Sequence, residues 1–305
     1  MPGLKMSAMN VGPISCAKNL LVAFAPGNVD VPTTSVIIEH PKHGLVLWDT
    51  GINEAVADPE RGDAYWGPGL RAAFGTQGFT REHVVDKQLE RLGLRPNDVR
   101  YVVYSHLHLD HAGGMCYFPN AVHVVQRDEI RYAMWPDTWT RPVYCQNDYR
   151  DIRKLNILEL DGDFDLFNDG TLRLVKTPGH APGHQVLIVD LQNRGRMCLA
   201  ADTGHQRDGF ENMVPMPWDW SLSAMTTTRM RMKQLERTGI PLFLCHDAGD
   251  FAKLPTRRRI LGLNSLIFAV RRLDQRTHRP SRGSSRPEYY LGKPAGEADP
   301  TCAMS

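Results

Sequence analysis

Three features of the 305-residue sequence predict an α/β protein. β-rich apolar runs alternate with segments of helical periodicity. The runs cluster early and late, with helices between and after them, in a faint two-half pattern. Histidines and aspartates stand directly after several of the apolar runs.

Each element has its own warrant. TTSVIIEHPKHGLVLWDTG (33–51) holds two β-rich runs around a Pro-Lys-His-Gly turn, which predicts a hairpin. Residues 81–94 place Val84, Val85, Leu89 and Leu92 at helical spacing, with Gly93 near the end. VRYVVYSH (99–106) reads as a strand, and AVHVVQRDEIRYAMW (121–135) as a strand running into a helix. Residues 157–180 give three short strands with turns at Asp-Gly and Asn-Asp-Gly. HQVLIVDL (184–191) and RGRMCLAAD (194–202) add two more, residues 221–239 are helical, and IPLFLCHD (240–247) is a last buried strand. No repeat at a solenoid period is present.

Composition narrows the function. The chain is 42% hydrophobic and 23% charged with a formal net charge of +2. That is ordinary globular composition, and nothing global calls for nucleic acid or an anionic membrane. No apolar run approaches the roughly 20 residues of a membrane span, and the N-terminus lacks a signal-peptide core. The six cysteines, Cys16, Cys116, Cys145, Cys198, Cys245 and Cys302, show no CxxC pair or framework spacing. They read as reduced thiols in a cytoplasmic protein. Residues 257–286 carry nine arginines and one acid, Asp274. Residues 1–274 are expected to form one domain, and 275–305 a polar basic tail.

The chemistry concentrates in YVVYSHLHLDHAGG (101–114). On extended backbone His106, His108 and Asp110 share one face, and His111 is adjacent. Gly113 and Gly114 then allow a tight turn, expected to lead into a helix. Imidazoles and a carboxylate converging at a strand end suit a borderline metal such as zinc. His180, Asp202 and His246 each follow another apolar run, so all could project from one sheet edge. Seven such ligands are what two adjacent metals need when one carboxylate bridges them.

The order H-x-H-x-D-H, then His after Gly, then Asp, then His resembles the metallo-β-lactamase superfamily over about residues 10–255. The resemblance implies an αββα sandwich, two mixed β-sheets face to face and flanked by helices, with two divalent metal ions, zinc or similar, at one edge. It implies that His106, His108 and His180 hold one ion, that Asp110, His111 and His246 hold the other, and that Asp202 bridges. Within the superfamily, ADTGHQRDGFENMVP (201–215), TSVIIEHPKHGLVLWDTG (34–51) and HDAGDF (246–251) look like the N-acyl-homoserine lactonases. The implied activity is the opening of a small lactone by a metal-bridging hydroxide, with Asp110 as proton shuttle. Those lactonases usually carry a tyrosine three residues after the bridging aspartate. Here His205 stands there, and it is expected to hydrogen-bond the developing oxyanion or protonate the leaving alkoxide.

Other positions carry weaker expectations. His184 should orient a loop or a ligand, and Asp49 should accept from a ligand histidine. His40 and His123 read as surface or strand residues. Trp135, Trp139, Trp218 and Trp220 either wall the pocket or anchor packing; if they wall it, the substrate has an apolar part. A glyoxalase II-like thioesterase is the alternative, and a nucleic-acid-processing phosphodiesterase a more distant one, although no nucleic-acid or membrane partner is expected. A homodimer is left open.

Overall fold

A computed structural model describes residues 3–191 and 195–256. The chain opens with β1 (Lys5–Asn10), β2 (Ile14–Ala17), β3 (Asn28–Val31), β4 (Thr34–His40) and β5 (Gly44–Trp48). It continues through β6 (Val99–Val103), β7 (Val122–Gln126) and β8 (Asn156–Leu160). The remainder holds β9 (Phe164–Asp165), β10 (Leu172–Lys176), β11 (Gln185–Asp190), β12 (Arg196–Ala201) and β13 (Leu242–Leu244).

Two mixed sheets result. The first runs β1-β4-β5-β6-β7-β8 and the second β13-β12-β11-β10-β9, with β2-β3 a separate ribbon. In the first, β1, β4 and β5 are antiparallel neighbours, while β5 to β8 pair in parallel. In the second, only β12 and β13 pair in parallel.

Side-chain alternation places the layers. Val36, Ile38, Val46, Trp48 and Val103 of the first sheet meet Leu174, Leu187, Val189 and Leu199 of the second in one buried cluster. The intervening residues Ile37, Leu45, Leu47 and Val102 face the opposite way and join a second cluster with Leu89, from the helix Val85–Arg91. Val186, Cys198 and Ala200 likewise turn outward, onto Met232 of the helix Leu222–Arg237. Helix, sheet, sheet and helix therefore stack as four layers, the expected sandwich. Each fully buried aliphatic side chain contributes about 1.5–3 kcal/mol.

Several local expectations change. Residues 81–94 are not one helix: Arg81–His83 form a 3-10 turn, Val84 is extended, and the α-helix is Val85–Arg91. Thr80 N–H donates to His83 Nδ1, which closes the first turn on itself. After Gly113-Gly114 comes only the 3-10 turn Met115–Tyr117. Strands β1 to β3 and the helix Pro59–Trp66 had no strong pattern in sequence. β1 is held by non-local pairing, Lys5 against Glu39 through Asn10 against Thr34. The helix starts through Asp58, which accepts from Arg61 N–H, with Pro59 at its first position.

Cys16, Cys145, Cys198 and Cys245 are buried free thiols, whereas Cys116 is disulfide-bonded. That corrects the expectation of reduced thiols throughout, because spacing along a chain does not report proximity in space. The expectations for Cys302, the 274/275 boundary and the basic tail fall outside the described residues. Among the described residues no helix is long and apolar enough to cross a membrane.

Candidate metal centre

The edge of the sandwich where β5, β6, β10, β12 and β13 end gathers the polar residues. His106, His108, Asp110 and His111 lie on the loop after β6, His180 on the loop after β10, Asp202 immediately after β12, and His246 two residues after β13. All seven expected ligands therefore meet, and His205 joins them.

Asp202 Oδ2 is the focus. It lies 3.1 Å from His205 Nε2, 3.4 Å from His111 Nε2, 3.4 Å from His180 Nε2, 3.6 Å from His246 Nε2 and 3.8 Å from His106 Nε2. His106, His108 and His180 each place a ligand atom within 4.8 Å of the other two. His111, Asp202 and His246 form a second such group, joined by Cys245. Asp110 Oδ2 stands 3.2 Å from His246 Nε2 and 3.7 Å from His111 Nε2.

The donor set fits a pair of divalent ions. Nε2 of His106, His108, His111 and His180 and Oδ1 of Asp202 are buried without a hydrogen-bond partner. Such orphaned polar atoms are costly unless something satisfies them. Burial, with the neighbouring imidazoles, drives His106 and His108 well below the usual imidazole value, so both are neutral and able to donate lone pairs. Burial works against charge on His111 too, but Asp110 and Asp202 outweigh it and favour the cation there. The cluster thus carries a negative field that positive charge relieves.

The rings are aimed by their other nitrogens. His111 Nδ1 meets Asp49 Oδ2 at 3.0 Å, His180 Nδ1 meets Asp219 Oδ1 at 3.1 Å, and His246 Nδ1 meets Pro32 O at 2.8 Å. Asp49 also accepts from Ser105 N–H and Ser105 Oγ–H, at 2.7 and 2.8 Å. His184 takes the orienting part expected of it. Its Nε2 accepts from Asp202 N–H and its Nδ1 meets Thr177 Oγ1, so neither nitrogen is left for a metal. Expected as a hydrogen-bond donor, His205 places Nδ1 3.1 Å from Leu21 O. A carbonyl can only accept, so the ring proton sits there. Donation from Nε2 then requires the imidazolium.

Three supporting residues had no sequence signal. Glu129 is fully buried: Oε1 accepts from Leu107 N–H and Tyr144 Oη–H, and Oε2 from Gly183 N–H. It ties the loop of His106 and His108 to that of His180. Asp219 orients His180 across 39 positions of sequence. Arg229, also buried, donates from Nε to Thr203 O and from Nη1 to Val214 O, bracing the segment after Asp202. In sequence these three are charges on ordinary polar segments.

Ile14, Leu21, Phe74, Leu109, Val143 and Trp218 line a narrow cavity over the cluster. Trp218 therefore walls the site, whereas Trp135 and Trp139 are exposed and neither wall it nor anchor packing. Trp220 is half-buried, with its backbone N–H donating to His180 O.

Comparison with known proteins agrees with this geometry. Residues 28–246 match the family model of the metallo-beta-lactamase superfamily. The chain is 34% identical over 270 residues to the N-acyl homoserine lactonase AttM of Azorhizobium caulinodans, covering 84% of this chain and 98% of the relative. It is 36% identical over 217 residues to AttM of Rhizobium radiobacter, covering 69% and 80% respectively. A crystal structure of a Bacillus thuringiensis AiiA mutant with N-decanoyl-L-homoserine at its active site superposes with a TM-score of 0.71. It is 25% identical, over 84% of this chain and 98% of that one.

Proposed function

The chain belongs to the metallo-β-lactamase superfamily, and from that premise we propose that it is a dinuclear metal-dependent lactonase acting on N-acyl homoserine lactones. The ring of imidazole nitrogens around Asp202 Oδ2 carries the hydrolase reading. Relatives matched over nearly their full length support the lactone as substrate. His106, His108 and His180 would hold one ion, Asp110, His111 and His246 the other, with Asp202 between. Bound divalent ions of the zinc type supply Lewis acidity, which acidifies water and polarises an ester carbonyl.

The protein's own groups do the rest. Ile14, Leu21, Phe74 and Trp218 offer apolar contact to an acyl chain and exclude water from the cluster. Asp110 is kept ionised below the usual carboxylate range: burial opposes this, and the charges of His111 and His246 overcome it. It is part-exposed beside the cavity, so it can take a proton from water and deliver one to the ring oxygen as the C–O bond breaks. The net reaction adds one water and yields the open hydroxy acid.

The metal-replete protein, assayed by mass spectrometry on acyl homoserine lactones of increasing chain length, should release the ring-opened acids. Thioesters should be turned over far more slowly. Turnover of thioesters with none of any lactone would overturn the reading.

A further inference from the structure

His205 repeats the wiring of the candidate ligands. His111, His180 and His246 each give Nδ1 to a fixed acceptor and turn Nε2 toward Asp202 Oδ2, at 3.4, 3.4 and 3.6 Å. His205 gives Nδ1 to Leu21 O and turns Nε2 to the same oxygen at 3.1 Å. It is buried, and its ring centroid lies 5.2 Å from those of both His180 and His246.

The hydrogen bookkeeping narrows the choices. Leu21 O is a carbonyl, so the ring proton is on Nδ1 and neutral His205 shows a lone pair at Nε2. Asp202 Oδ2 is also an acceptor. Two acceptors held 3.1 Å apart in a buried site need positive charge between them, from a second ring proton or from a metal ion. His180, Asp202 and His205 place their ligand atoms within 4.8 Å of one another, a span that one ion can close.

We propose that His205 is itself a metal ligand, a sixth imidazole of the centre, bound through Nε2 to the ion it shares with His180 and Asp202. The proposal rests on the two-metal reading above. It gives that ion one donor more than the seven-ligand set provides. The extra donor fills a position otherwise open to solvent or substrate, so this ion is held more tightly and the other is left the more accessible one.

Proton NMR of the cobalt-loaded protein tests it, because ring N–H protons of ligating histidines take large hyperfine shifts. Six such exchangeable signals are expected, from His106, His108, His111, His180, His205 and His246. His205→Ala should lose one of them and weaken one of two cobalt equivalents on the order of 10–100-fold. A second readout needs no variant: in the zinc-loaded wild type, the His205 Nε2 nitrogen should show the shift of a metal-bound, unprotonated nitrogen. Five signals in the wild type and all five kept in His205→Ala, or a proton found on Nε2, would overturn the proposal in favour of an imidazolium paired with Asp202. If the wild type shows no cobalt uptake and no shifted signals, the two-metal reading itself has failed.

Discussion

Replacing Asp202 with alanine removes the oxygen that five imidazole nitrogens face. Elemental analysis should then find metal falling from about two ions per chain to below one, because a bridging carboxylate serves both. Retention of two ions would refute the bridge. A different carboxylate sets the pH response. Asp148 is buried, with Oδ1 accepting from Tyr65 Oη–H at 2.9 Å and Oδ2 unpartnered. Burial pushes it up to about 8, against the lowering effect of its Tyr65 and Cys145 hydrogen bonds. An unfolded aspartate titrates near 3.9, so between the two values the folded chain binds more protons and stability falls as pH rises. An asparagine in its place would resemble the protonated form. Asp148→Asn should match the wild type near pH 4 and exceed it near pH 9, by on the order of a few kcal/mol in urea melts. Equal pH slopes would show that Asp148 does not titrate there. At this scale the sequence was legible where chemistry is dense: His106, His108, Asp110 and His111 announce themselves by spacing. Glu129, Asp219 and Arg229 do not, since their partners are brought to them only by the fold.

The loops that carry the ligands are held by close backbone approach. A Cβ on Gly113 would lie 2.3 Å from Asn53 N. The pair Gly113-Gly114 therefore serves packing against residues 50–53 more than a turn into a helix. Gly179 is crowded and also needs a positive φ, near +150°: a Cβ there would meet the Met225 backbone at 2.5 Å. Gly179→Ala should push the helix Leu222–Arg237 away from the His180 loop. Differential scanning calorimetry should show a loss of roughly 2–4 kcal/mol, with weaker metal retention. An unchanged Tm would mean that the loop has slack the structure does not show. Element positions were readable wherever apolar periodicity ran unbroken, as in β4 through β8 and the helix Leu222–Arg237. They were not readable in β1, whose KMSAMN has a strand's conformation only because β4 pairs with it.

The four-layer sandwich was legible as a resemblance, and the two-sheet core accounts for it physically. What the sequence could not convey is that the site spans both sheets: His106 to His111 come from the first, His180, Asp202 and His246 from the second. Metal held by the proposed ligands would therefore tie one sheet to the other. Exhaustive chelation should lower Tm by several degrees, and added zinc should restore it with free metal concentration as linkage requires. In Asp202→Ala the same titration should move Tm much less. Equal responses would disconnect the cluster from stability. The order of strands in the chain has a consequence for biosynthesis. The first sheet is complete by residue 160, while the last proposed ligand is residue 246. At roughly 5–20 residues per second a ribosome needs about 4–17 s to cover that interval. In the first half of it, until residue 202 is made, the nascent chain presents the three histidines of the first loop without the proposed bridging carboxylate. Full loading with the two proposed ions would thus wait for residue 246, and a chain released before it would leave the ribosome with half a centre.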